Sequence, residues 1–74
     1  MIPYKITKRI AVLAASKNGK KSLELNKVCY EGRPEEVYDI RRWYIDENGE
    51  KQMGKGISLS DNEYEHLRKI LIDE

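Results

Sequence analysis

Three turn signals divide this sequence before any other pattern is weighed: Ser16-Lys17-Asn18-Gly19, Glu31-Gly32-Arg33-Pro34 and Asp46-Glu47-Asn48-Gly49. Asn-Gly between apolar runs marks a hairpin, because both residues tolerate the left-handed backbone of a tight turn. The pieces between the turns are of strand length. They predict strands from about Lys8 to Ala15, Lys21 to Tyr30, Val37 to Ile45 and Glu50 to Leu59. In the second piece Leu23 and Leu25 share one face and Val28 and Tyr30 the other, so a one-residue bulge near Asn26 or Lys27 is expected to reconcile the halves. In the third, Tyr38, Ile40, Arg42 and Tyr44 alternate with Val37, Asp39, Arg41, Trp43 and Ile45. Gly54 and Gly56 in the fourth are expected to share a face and admit another backbone or a ligand.

The period changes after Leu59. Ser60-Asp61-Asn62-Glu63 has the spacing of a capping box, and Tyr64, Leu67, Ile70 and Leu71 follow on one helical stripe, with Glu65 and Lys69 as an outer i,i+4 pair. The predicted fold is therefore α+β: a curved four-stranded antiparallel sheet and one C-terminal helix, ββββα, in a single domain over residues 1–74. One helix covers one sheet face, so the functional surface is expected on the other. A chain of 74 residues buries only about 60% of its unfolded surface, which makes a second subunit the natural supplement to its core.

The residue inventory argues against catalysis. His66 falls on the polar side of the helix, Cys29 lies near a strand end with no helix N-terminus beside it to activate a thiol, and the Glu35-Glu36 and Glu47/Glu50 carboxylates lie in turns. One Cys and one His supply too few ligands for zinc and no internal disulfide, and Gly54-Lys55-Gly56 lacks the length of a phosphate loop. Neither cofactor nor metal is expected. Lys5, Lys8 and Arg9 precede the apolar run Ile10–Ala15, which is shorter than the usual run of about 7–15 in an export signal. A cytoplasmic protein is expected, associated with the nucleoid if bacterial.

The aromatics are five Tyr and one Trp with no Phe, so each ring carries a polar edge as well as a stacking face. They are interleaved with Lys and Arg, the combination by which single strands are stacked and their phosphates followed. For Trp43 alternation alone leaves stacking and subunit packing both open. The net charge of +1 conceals an asymmetry: residues 1–30 hold seven basic groups and one acid, Glu24, whereas the terminal helix segment is acidic.

Tyr38-Asp39-Ile40-Arg41-Arg42-Trp43-Tyr44-Ile45-Asp46, the following Glu47-Asn48-Gly49-Glu50 turn, and Gly54-Lys55-Gly56-Ile57-Ser58-Leu59 ahead of a helix resemble the single-stranded-DNA-binding domain of the transcriptional coactivator positive cofactor 4 family, its small bacterial members in particular. The resemblance implies a homodimer whose curved sheets form a groove for single-stranded DNA. By position it implies that Arg41 contacts DNA, that the pair Trp43-Tyr44 supplies a stacking ring, and that Lys55 is the basic residue of the glycine-flanked strand. Tyr30 with Arg33 matches a further contacting turn, and Lys17, Lys20 and Lys21 extend the basic rim. The function expected is non-enzymatic, largely sequence-independent single-stranded DNA binding in transcription regulation or in replication and repair, with transcription machinery a candidate partner. The alternatives are a protein-interaction module, or an RNA binder using the same sheet surface.

Overall fold

A computed structural model describes residues 3–74. Four strands, β1 (Tyr4–Ala15), β2 (Lys21–Tyr30), β3 (Glu36–Ile45) and β4 (Lys51–Leu59), form an antiparallel meander in chain order and are followed by one helix, α1 (Asp61–Ile72). The turns close as their sequences require. Gly19 and Gly49 take φ of 72° and 79°, values that a side chain disfavours, and their amides reach the carbonyls of Ser16 and Asp46 at 3.0 Å. The Asp46 carboxylate organises its turn, accepting from the amides of Asn48 and Glu50 at 2.9 Å and from Gln52 Nε2 at 2.8 Å.

β1 begins at Tyr4 rather than near Lys8. Tyr4 and Ile6 pair with Tyr30 and Val28, while the intervening Lys5 stands exposed on the other face, a distribution that an edge strand tolerates. The bulge expected in β2 is absent: β2 pairs with β3 without a break from Lys21↔Tyr44 to Cys29↔Glu36. No bulge is required there because β2 buries Val28 on the inner face while Leu23 and Leu25 stay half-buried on the outer one, so each half keeps its own face. In the β1–β2 pair the irregularities lie in β1, where the pairing slips between Ile6 and Lys8, Arg9 and Ala11, and Val12 and Ala14, inserting Thr7, Ile10 and Leu13. Each extra residue bends the strand. The curl brings the Tyr4 ring to 5.5 Å, centroid to centroid, from Trp43 near the far end of the sheet.

Register sorts the two faces. On the inner face lie the rows Ser22/Trp43/Met53, Glu24/Arg41/Gly56 and Asn26/Asp39/Ser58, with Val28 opposite Val37. On the outer face lie Lys21/Tyr44/Gln52, Leu23/Arg42, Leu25/Ile40/Ile57 and Lys27/Tyr38/Leu59. The face away from the helix is thus not an open surface. It holds the buried residues Val28, Trp43, Glu24, Asn26 and Asp39, because the curled sheet closes over it.

α1 carries the expected capping box: Ser60 Oγ accepts from the Glu63 amide at 3.2 Å and Glu63 Oε1 accepts from the Ser60 amide at 2.8 Å. Its start is pinned by Tyr64, stacked on Tyr38 with centroids 3.6 Å apart and planes 5° apart. Glu65 pairs with Arg68 at 3.7 Å, one residue short of the Lys69 that spacing favoured. Only the first part of the apolar stripe is covered. Tyr64 and Leu67 are half-buried, but Ile70, Leu71 and Ile72 are more than half exposed, above a groove lined with Leu13, Leu25 and Ile40.

Candidate nucleic-acid interface

Arg41 projects from the middle of β3 into the curl, where its guanidinium is held on three sides. Nε and Nη2 donate to the two oxygens of Asp39, each at 2.9 Å, and Nη1 donates to the Gly54 carbonyl at 3.0 Å. Asp39 is fully buried and the Arg41 side chain only 16% exposed. Asp39 Oδ2 also accepts from Ser58 Oγ at 3.0 Å and from the Tyr30 hydroxyl at 3.3 Å. The hydrogen bonds to Asp39 raise the Arg41 pKa above its ordinary value against the opposing effect of burial. A fork–fork pair of this kind satisfies both partners and leaves little of the arginine for an incoming anion.

One row from Asp39, Glu24 takes the same part for Lys51. Its oxygens accept from Lys51 Nζ at 2.9 and 3.0 Å, from Ser22 Oγ at 2.6 Å and from Asn26 Nδ2 at 3.3 Å, with Arg9 Nη1 at 3.8 Å. Burial alone would raise the Glu24 pKa, but the hydrogen bonds from Ser22, Lys51 and Asn26 and the charge of Lys51 together hold it below its ordinary 4.5. A carboxylate depressed in the folded state contributes stability that is present above its unfolded pKa and is lost as pH falls through the folded one. Acid unfolding followed by circular dichroism is therefore expected to set in below about pH 4.5, and Glu24→Gln to make the profile flatter there. An unchanged slope in that variant would remove Glu24 as a contributor.

Trp43 lies over this network and is 2% exposed. Tyr4 packs against its ring, Lys51 Nζ stands 5.0 Å from its centroid, and its Nε1 has no hydrogen-bond partner among the described residues. Tyr44, next along β3, points the other way and is 44% exposed. Of the adjacent aromatics, one is core and the other presents a ring to solvent.

Lys21 faces Tyr44 directly across β2–β3, and the Ile45 amide donates to the Lys20 carbonyl at 2.8 Å, tying the first turn to the strand beside that ring. Lys17, Lys20 and Lys21 are all exposed. Lys55 is exposed in a bulge of β4: between Arg41↔Gly56 and Trp43↔Met53, both Gly54 and Lys55 stand opposite the single residue Arg42. This extra residue interrupts the alternation that would have put Gly54 and Gly56 on one face. Gly54 abuts Arg42 and Gly56 abuts Arg41.

The structure brings Lys20, Lys21, Tyr44 and Lys55 toward one end of the outer face, with Lys17 in the adjoining turn. It does not bring Tyr30 and Arg33 to them. Tyr30 ends β2, at the opposite end from Lys21, and Arg33 shares its hollow with Glu31, Glu35, Glu36 and Asp61. Arg42, exposed between Tyr44 and Ile40 on the outer face, was not singled out from the sequence, although alternation placed it beside Tyr44. Among the described residues no three His, Cys, Asp or Glu side chains converge as a metal site, and no helix is long and apolar enough to cross a membrane.

No curated protein and no solved structure matched the chain. The family model described as transcriptional coactivator p15 (PC4) matches residues 17–70, from the first turn through β2, β3 and β4 into the helix. That family is a single-stranded-DNA-binding and coactivator domain. With well over half of its residues inside the match and with the ββββα order of its elements, this chain belongs to the transcriptional coactivator p15 (PC4) family.

Proposed function

We propose that this protein binds single-stranded DNA, largely without regard to base sequence, as a homodimer acting on DNA opened during transcription, replication or repair, and that it does so in the cytoplasm. The observation that carries this reading is the exposed Tyr44 ring beside Lys21, its partner across β2–β3, and next to the first turn with its exposed Lys17 and Lys20. A ring in that setting stacks an unpaired base, while the ammonium groups meet flanking phosphates. Lys17 and Lys55 extend the positive rim, and Arg41 and Trp43 support the surface from beneath. Tyr30 and Arg33 form a separate contact for a longer strand. The second subunit covers the apolar groove of Leu13, Leu25, Ile40, Leu67, Leu71 and Ile72, an exposed patch of the kind that marks an association surface.

Fluorescence anisotropy with single-stranded and duplex oligonucleotides of equal length, run across a salt series on a protein whose mass is fixed by sedimentation, tests the proposal. A dimer that prefers the single strand, with affinity falling as salt rises, is expected. Tyr44→Ala should weaken binding by about 1–3 kcal/mol per stacked base. Equal or tighter duplex binding sinks the reading. Tighter binding to RNA of the same sequence, or no nucleic-acid binding at all, would favour the RNA and protein-interaction alternatives respectively.

A further inference from the structure

β3 carries two consecutive arginines that alternation sends to opposite faces, and the two faces treat them differently. Arg41 enters the inner face, where the carboxylates Asp39 and Glu24 lie, and Asp39 neutralises it in a bidentate pair. Arg42 emerges on the outer face opposite Leu23, and among the described residues it has no carboxylate within ion-pair distance. Its neighbours by register are Tyr44 and Lys21 in one row and Ile40 and Leu25 in the other, none of them acidic.

β4 runs close against the backbone of Arg42. A Cβ at Gly54 would lie 2.8 Å from the Arg42 carbonyl oxygen and 3.6 Å from Arg42 Cβ, an approach that only a residue without a side chain permits. The bulge that places Gly54 opposite Arg42 also sets Lys55 beside it. Two residues along a strand span about 6.6 Å, which separates Arg42 from Tyr44 by about two stacked nucleotide rises of 3.4 Å each.

We infer that Arg42 is a further arginine that grips the backbone of the bound strand, its guanidinium taking a phosphate adjacent to the base stacked on Tyr44. The inference rests on the single-strand reading above. Arg42 supplies an unpaired planar fork that suits phosphate oxygens, whereas Arg41 already gives three of its five N–H donors to Asp39 and the Gly54 carbonyl. A phosphate contact fixes the position of the strand without reading its sequence, in keeping with sequence-tolerant binding.

The test is the slope of log affinity against log salt for an oligo-dT strand, measured by anisotropy for the wild type, Arg42→Gln and Arg42→Lys. Each phosphate contact contributes about 0.7 to that slope for single strands. Arg42→Gln should lower the slope by about 0.7 per engaged site with an unchanged melting temperature, and Arg42→Lys should restore most of it. Wild-type slope and affinity in Arg42→Gln would overturn this assignment while leaving single-strand binding intact. Absence of single-strand binding by the wild type would overturn both.

Discussion

Asp39→Ala is expected to cost about 3–5 kcal/mol of folding stability, because it leaves the largely buried Arg41 guanidinium facing an empty, desolvated site. It removes two charge-assisted bonds of 2.9 Å and the common acceptor of Ser58 and Tyr30, so donors on three strands lose their partner together. Small domains are stable by only about 5–15 kcal/mol in total. A 74-residue chain whose described residues include two fully buried apolar side chains, Val28 and Trp43, has little reserve. Urea unfolding followed by circular dichroism should show a large drop in midpoint. Because the penalty comes from an uncompensated charge, Asp39→Leu combined with Arg41→Met should cost less than Asp39→Ala alone. A loss under about 1 kcal/mol for the single variant would contradict this account of the inner face.

Gly56→Val is expected to be destabilising by about 1–3 kcal/mol or more through overpacking. A Cβ at this position would lie 2.5 Å from the Ile40 carbonyl oxygen and 2.6 Å from both Cα and Cβ of Arg41. Those are backbone and near-backbone atoms that no rotamer change can withdraw, so β4 would have to move away from β3. The displacement falls in the same paired rows as Arg41 and the Gly54–Lys55 bulge. Trp43 provides the readout: its buried ring should emit further to the red as the curl loosens, and the urea midpoint should fall. A variant with wild-type emission and midpoint would mean that the close approach of the two strands is not required.

Much of the fold was legible in the chain. The Asn-Gly turns, the capping box and the strand-length pieces between them are local features, and each closes in the structure with partners a few residues away, as Asp46 does with Asn48, Glu50 and Gln52. The start of β1 and the position of its bulges were not legible. Their causes are non-local: Lys5 is tolerated because β1 is an edge strand, and Thr7, Ile10 and Leu13 are extra only relative to what β2 pairs with. The candidate site was legible in part. Residue types and their order pointed to β3 and the first turn, but periodicity could not say whether Trp43 or Tyr44 would be the exposed ring.

By itself the sequence determined which residues of β3 travel together, because side-chain alternation is a property of the extended backbone. It placed Arg41 with Asp39 and Trp43, and Arg42 with Tyr44. Only the tertiary structure decided which set lies inside. The bulges of β1 curl the sheet over the more polar set, since Asp39, Glu24 and Asn26 find hydrogen-bond partners along their own strands and, for the two carboxylates, on other strands too, and can be buried at tolerable cost. The more apolar set is left to share its face with a helix too short to cover it. That inversion locks Arg41 and Trp43 into the core and leaves Tyr44, Arg42 and the lysines of the first turn at the surface.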